Sequence, residues 1–313
     1  MSDFDGDTVV PNSLDGERID RALSLLYGVS RHDASSLIAQ GSVNVSANRV
    51  KSKSLRLRVG DVIHVEGLTL RDARVVTADA SVPLDLVYFD GFLAVVNKRA
   101  GQVVHLGSGV DDKTMVNALV ALFPQSATVG DPERPGVVHR LDKGTSGLML
   151  FALTTEVLVE LQQAVALRHV RRQYLALVEG HMEHDQGTIQ GAVGRSRHDV
   201  RKMEITDEGR EAESHYSVVQ RISRDGEFTV VRVVLGTGRT HQIRVHLQAL
   251  GHSVVGDHVY GAKTGLELER PFLHAERLGL THPISGRALD FTCSLPEELR
   301  QYLESCRLDG TSV

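Results

Sequence analysis

HRLDKGTSG, residues 139–147, places one carboxylate, Asp142, in a loop otherwise made of cations and small residues. Before it, Pro135 and Gly136 make a turn and Val137 and Val138 a β-branched pair. After it, LMLFA at residues 148–152 is the short unbroken apolar run of a buried strand. The loop is therefore expected between two core segments, and a loop held at both ends can aim a side chain accurately. An Asp followed by Lys, Gly, Thr, Ser and Gly also has the chemistry of a turn or helix cap, so Asp142 taken by itself leaves both readings open.

A chain of 313 residues has room for about two domains of ordinary size. Its 41% hydrophobic and 24% charged residues are those of a soluble globular protein, which excludes the disordered and fibrous classes. The opening MSDFDGDTVV lacks the basic and apolar blocks of a signal peptide, and no apolar run approaches the roughly 18 residues of a membrane span. Cys293 and Cys306 are too few for a disulfide framework or a cysteine zinc site, so a reducing, cytoplasmic setting is expected. The net charge of −5 argues against a polyanionic partner until its distribution is considered. Residues 14–58 carry eight cations against four carboxylates, and a second basic stretch runs over 168–202. Exposed charges beyond a Debye length of about 8 Å are largely screened, so such patches can hold phosphate on an acidic molecule.

Residues 1–13 read as an acidic tail and 14–68 as a small α+β module. In the module RIDRAL at 18–23 starts one amphipathic helix, and Ser30 caps a second that runs to Gly41. Val43, Val45, Val62, Ile63 and Val65 then alternate as strands do. Residues 69–83 are a polar linker, 84–306 a second domain, and 307–313 a C-terminal tail. In the second domain strands are expected at 87–89, 93–96, 174–178, 228–235 and 253–255, and helices at 114–123 and 155–167. Strands without regular βα alternation predict an α+β fold with a mixed, largely antiparallel sheet, not a doubly wound one.

Two further segments carry chemistry. RRQYLALVEG at 171–180 alternates as a strand, with Tyr174 and Ala176 on one face and Leu175 and Leu177 on the other. GRTHQIRVHL at 238–247 supplies Arg244 and the first of four histidines, 241, 246, 252 and 258. His241 and His246 are five apart with no carboxylate base between them, which does not suit a zinc helix. No P-loop, dinucleotide fingerprint or GxSxG elbow is present, so neither cofactor nor metal is expected.

HRLDKGTSG resembles the HRLD-x-x-TSG signature of the RluA/RluD family of RNA pseudouridine synthases at all seven defined positions. Tyr174 falls on the family's K/R-x-Y segment. GRTHQIRVH is similar to its G-R-x-H-Q-I-R-x-H motif, and the glycine-rich tail of that motif is matched by Gly251, Gly256, Asp257, Tyr260 and Gly261. NKRAG at 97–101 echoes N-K-P-A-G, with Arg99 and, further on, Leu106 in place of prolines, and Arg201-Lys202-Met203 echoes an R-x-K-M hairpin that touches RNA. The resemblance implies Asp142 as the catalytic residue, Tyr174 stacked under a uracil ring and exchanging a proton, and Arg244 paired with Asp142. A guanidinium does not deprotonate, so it would keep the carboxylate ionised and oriented. Arg140 would fill the space left by a flipped base, with His139, Arg201 and Lys202 also at the RNA.

The module at 14–68 resembles the alpha-L RNA-binding module, which implies that Arg31 faces phosphate. The partner implied is RNA, with a stem-loop of large-subunit ribosomal RNA the nearest match, acted on by a monomer with no membrane contact. A tRNA-directed synthase, a non-catalytic ribosome-assembly factor and an enzyme of free nucleosides are the alternatives. The residues leave open whether Asp142 attacks the sugar, attacks the ring or removes the ribose 2′ proton.

Overall fold

The computed structural model describes residues 3–307 apart from 28, 30, 70–74, 108, 109, 111, 200, 224, 225 and 262–267, and leaves aside the side chains of 3–5, 31, 32 and 67–69. The N-terminal region builds β1 (Asp3–Val9), α1 (Ile19–Tyr27), α2 (Arg31–Gln40), β2 (Val43–Val45), β3 (Asn48–Arg49) and β4 (Val62–Thr69), with sheet order β1-β4-β2-β3. Residues 3–9, expected in an acidic tail, instead pair antiparallel with β4 along its length. The acidic residues alternate with Phe4, Gly6 and Thr8, and the Asp7 carboxylate meets Nδ1 of His64 on β4 at 2.7 Å. The register shifts between Phe4 and Gly6, so the pairing carries a bulge there. Ser46 and Ala47 take the left-handed φ values 47° and 66° that a two-residue hairpin demands, a job usually given to Asn-Gly. Ile19, Leu23, Ile38, Val43 and Ile63 close the apolar cluster of this region. Ser30 and the Arg31 side chain, for which a cap and a phosphate contact were expected, lie outside the described residues.

The rest of the chain runs β5 (Leu86–Phe89), β6 (Leu93–Lys98), α3 (Met115–Leu122), β7 (Ser146–Ala152), α4 (Thr155–Ala166), β8 (Arg171–Glu179), β9 (Gln186–Gln190), β10 (Val193–Arg195), β11 (Met203–Ile205), β12 (Glu213–Ser223), β13 (Glu227–Leu235), α5 (Gln242–Ala249), β14 (Leu273–Thr281), β15 (Ala288–Thr292) and α6 (Glu297–Ser305). One large sheet has the order β5-β6-β7-β14-β8-β13-β12-β9, with β15 added beside β14, and β10 and β11 form a separate hairpin. All pairings are antiparallel except β14 with β7. The fold is thus α+β with a mixed, largely antiparallel sheet. The expected strand at 253–255 reduces to one bridge, Val254 to Val178, because Asp257 N–H bonds back to the Val254 carbonyl and turns the chain.

β7 explains why LMLFA shows no alternation: both faces of the sheet are covered there. Met149 and Phe151 join Ala94, Val96 and the α3 residues Val116 and Leu119, while Leu148 and Leu150 join Leu93, Val95 and the α4 residues Val157 and Leu161. α4 is started by Thr154, whose Oγ1 accepts the Val157 N–H.

The loop at 139–145 enters β7 where the sheet changes sense. Gly147 has φ +112°, and a Cβ there would stand 2.3 Å from the Ala275 carbonyl oxygen of β14. Only glycine permits this close parallel contact. Gly147→Ala is expected to destabilise the protein by roughly 2–4 kcal/mol, from strain and forced separation of β7 and β14, as read by denaturant unfolding.

Candidate active site

A cleft of about 590 Å³ opens beside the 139–145 loop, with α1 and α4 along one wall and the loop leading to α5 along the other. Six arginines, 21, 134, 140, 172, 239 and 244, line it against two carboxylates, Asp131 and Asp142. On a chain of net charge −5 this concentrates positive potential in one place and suits a polyanion.

Asp142 sits at the head of a turn closed by the Thr145 N–H donating to its carbonyl at 3.0 Å. Its carboxylate is 17% exposed, and Oδ2 accepts from Nη1 of Arg244 at 3.3 Å. The expected pair is therefore formed. Arg244 has a second partner that the sequence did not reveal. Asp257, fully buried, accepts from Nε at 2.6 Å and Nη2 at 2.8 Å. Burial opposes the Arg244 charge, but the bonds and charge of Asp257, with Asp142 adding, raise its pKa further. The same Asp257 accepts the Val259 and Tyr260 N–H groups, so its rotamer is fixed before Arg244 arrives. The Tyr260 ring lies 5.0 Å below the guanidinium carbon, and its hydroxyl meets His241 Nδ1 and accepts the Met203 N–H.

α5 presents Arg244 to the cleft while Gln242 and His246 are engaged behind it. Gln242 donates to the Glu213 carbonyl and meets Ser214 Oγ, and its Oε1 accepts the Arg239 N–H and the Thr237 hydroxyl. His246, one turn on, also meets Ser214 Oγ. His241, His246 and His252 are thus scattered among separate hydrogen bonds, and no group of three or more metal-type side chains gathers among the described residues.

The loop bearing Asp142 is held from below by Lys98, 1% exposed, whose Nζ donates to the carbonyls of Arg99, Lys143 and Thr145 at 3.1, 3.1 and 2.8 Å. Burial draws the Lys98 pKa down to about 7, with Asp142 opposing the fall. Arg99, standing where the related motif has proline, donates its own N–H to Gln102 Oε1 and makes a two-pronged pair with Asp85 at 2.9 Å. Leu106, the other replacement, is buried in the core.

Tyr174 lines the cleft and is buried, and burial pushes its pKa up to about 12, with the charge of Asp142 adding. It is a neutral phenol at ordinary pH, able to donate a hydrogen bond and to offer its face. His139 is turned inward: the Leu150 N–H donates to Nε2 at 3.2 Å, and burial, then Arg172, depress its pKa to about 3. It is a neutral strut of the loop with one edge on the cleft, not a cation displayed to a ligand. Arg140 is exposed on the rim. Arg201 folds onto Asp199, which takes Nη2 at 2.9 Å, and stands with Lys202 at the end of the β10–β11 hairpin.

The fold and this cleft define an enzyme that handles a polyanion with one carboxylate poised by an arginine. Residues 93–249 match the family model described as RNA pseudouridylate synthase. An uncharacterised RNA pseudouridine synthase of Synechocystis is 39% identical, covering 92% of this chain and 88% of its own. Ribosomal large subunit pseudouridine synthase D of Xylella fastidiosa is 36% identical over 99% of this chain and 95% of its own. Among solved structures, human RNA pseudouridylate synthase domain containing 1 superposes with a TM-score of 0.55 at 27% identity, covering 73% of this chain and 96% of its own. The chain belongs to the RNA pseudouridylate synthase family and is an isomerase that converts uridine to pseudouridine in RNA.

Two outcomes follow from the geometry. Asp257→Asn leaves a buried guanidinium half matched and should cost about 3–5 kcal/mol of stability, whereas Asp142→Asn, at a partly exposed carboxylate, should cost far less; equal losses in denaturant unfolding would count against Asp257 as the anchor. For Lys98, the unfolded chain holds a proton between about pH 7 and 10.5 that the folded chain lacks, so its contribution to stability rises with pH across that window. The gap in thermal stability between wild type and Lys98→Met should therefore widen from pH 7 to pH 10, and a constant gap would refute the buried amine's titration.

Proposed function

We propose that the protein isomerises uridine in structured large-subunit ribosomal RNA with Asp142 as the reacting carboxylate, Arg244 its holder and Tyr174 the platform for the base. The observation that carries this reading is Asp142 held by an arginine that a second, buried carboxylate orients, at the floor of an arginine-lined cleft. Breaking the bond from uracil N1 to C1′ develops positive charge on the sugar, which an adjacent carboxylate stabilises or traps. Arg244 spends two donors on Asp257 and keeps one for Asp142, so the carboxylate is aimed without being tied up in a full two-pronged pair. Tyr174, as a neutral phenol, stacks on the ring and positions the acceptor for the C5 proton.

A paired uridine reaches Asp142 only by leaving its stack, at a cost of a few kcal/mol. Arg140, exposed beside Asp142, is placed to fill the gap. Residues 14–68 act as an RNA-binding module, linked through 69–83 to a catalytic domain at 84–306, in a cytoplasmic monomer. The module's exposed Lys51, Lys53 and Arg58 supply phosphate contacts, and Arg201 and Lys202 a further one from the hairpin. The reading of large-subunit RNA is supported by relatives such as the Xylella synthase, whose name specifies that subunit.

Asp142→Asn should abolish tritium release from C5-labelled, unmodified large-subunit RNA while changing RNA affinity by no more than a few fold; full activity would overturn the assignment. Replacing Lys51, Lys53 and Arg58 together with Gln should lower the slope of log K against log salt by about 2–3, and an unchanged slope would remove the module from the phosphate contacts.

A further inference from the structure

Arg172 is the residue of the cleft for which the site described so far has no use. It lies two residues from Tyr174 on β8 and on the same face, lining the cleft, and is 4% exposed. Its Nε and Nη2 are buried and have no acceptor among the described residues. Arg244, at a similar depth, satisfies its charge with two carboxylates. The groups that act electrostatically on Arg172 are Tyr174 and Arg239, and no ionised carboxylate is among them; burial, the largest influence, opposes its charge. Beside it, Nδ1 of His139 is a second buried nitrogen without a partner. Since Nε2 accepts the Leu150 N–H, this Nδ1 carries the proton and is also a donor. Gly238 makes the room: a Cβ there would stand 2.6 Å from Nη1. A guanidinium buried without an acceptor is strongly unfavourable, and such groups persist where a ligand completes them.

We propose that Arg172 binds a carbonyl oxygen of the target uracil and stabilises the negative charge that the base acquires when it leaves the sugar. This rests on the isomerase reading of the site, with Asp142 on the ribose side. When the N1–C1′ bond breaks, its electron pair stays on the uracil and is delocalised to the ring oxygens. Asp142 answers the positive charge on the sugar, and Arg244, committed to two carboxylates, cannot answer the negative one. Arg172 donates to the carbonyl oxygen before it when the bond breaks, and because the turn that brings C5 to C1′ exchanges the two ring carbonyls, it donates to the other one when the new bond forms. The base turns, its C5 carbon bonds C1′, the C5 proton is lost and N1 ends protonated, so the product is an isomer and no co-reactant is consumed. A backbone phosphate is the poorer occupant. Arg134 and Arg140 are exposed at the rim where phosphates pass, whereas Arg172 is buried next to the ring of Tyr174.

The test is single-turnover conversion of unmodified large-subunit RNA, transcribed with C5-tritiated uridine, by the full-length protein. Arg172→Gln should slow tritium release about 100- to 1000-fold, the size expected for removing a donor from a developing anion, with RNA affinity within a few fold of wild type. Arg172→Lys should recover part of the rate. Gly238→Ala keeps the charge but displaces the guanidinium, and should fall between the two. A parallel transcript containing 5-fluorouridine, whose ring carries negative charge more readily, should show a smaller defect for Arg172→Gln, read as consumption of the fluorinated nucleoside. A purely structural loss would slow both substrates equally, and that result overturns the proposal. A wild-type rate in Arg172→Gln overturns it too, and should that variant not fold, wild-type rates in both Arg172→Lys and Gly238→Ala do the same. Silence of the wild-type protein on this RNA would instead strike the large-subunit RNA reading of the proposed function on which the test stands.

Discussion

The guanidinium of Arg244 is shared unequally between a fully buried carboxylate and a partly exposed one. Asp257 takes two donors in a fully buried site, where a charge pair is expensive to separate, and Asp142 takes the third at 3.3 Å. The two acids differ in what surrounds them. Asp257 is wrapped by backbone N–H groups of its own turn and cannot move, while Asp142 faces the cleft on a loop. One arginine thus converts the rigidity of a buried ion pair into orientation for an acid that has to remain accessible. The tyrosine beneath the guanidinium links this pair to the β10–β11 hairpin through the Met203 N–H, so the same core supports a surface some distance from the chemistry.

The loop carrying Asp142 owes its shape mainly to backbone contacts. Lys98 gathers three carbonyls under it, the Gly101 N–H donates to the Lys143 carbonyl at 2.8 Å, and Arg270 takes the Gly144 carbonyl at 3.1 Å. Beyond it, Ser146 Oγ meets His274 across the parallel junction of β7 and β14. Lys143 has its own carbonyl pinned by Lys98 and Gly101, while its side chain is exposed.

Much of this was legible in the chain. The apolar run after Gly147 fixed a buried strand, and the segments around Asp142, Tyr174 and Arg244 named residues that the fold does bring to one cleft. What was not legible depends on partners distant in sequence. Asp257 sits in a recognisable motif, but its value comes from a rotamer shared with Arg244, thirteen residues away across a turn. His139 reads as a ligand-facing cation until the Leu150 N–H and its burial are seen. Residues 3–9 read as a tail because alternation with Asp looks polar throughout, and only the pairing with β4 makes them a strand. At 253–255 the β-favouring pair Val254 and Val255 lost to the turn that places Asp257.

The N-terminal region is not appended at a distance. Arg21 of α1 is ion-paired with Glu17 and hydrogen-bonded to Gln162 of α4, and it stands in the same cleft wall as the loop around Asp142. A wall built from two parts of the chain makes their ligand affinities a single quantity. A ligand that favours one pose of α1 would, by linkage, be favoured in return by whatever holds α1 in that pose. Exchanging this region for that of a relative would carry part of the active-site wall with it, so the shape of the catalytic opening would be exchanged too.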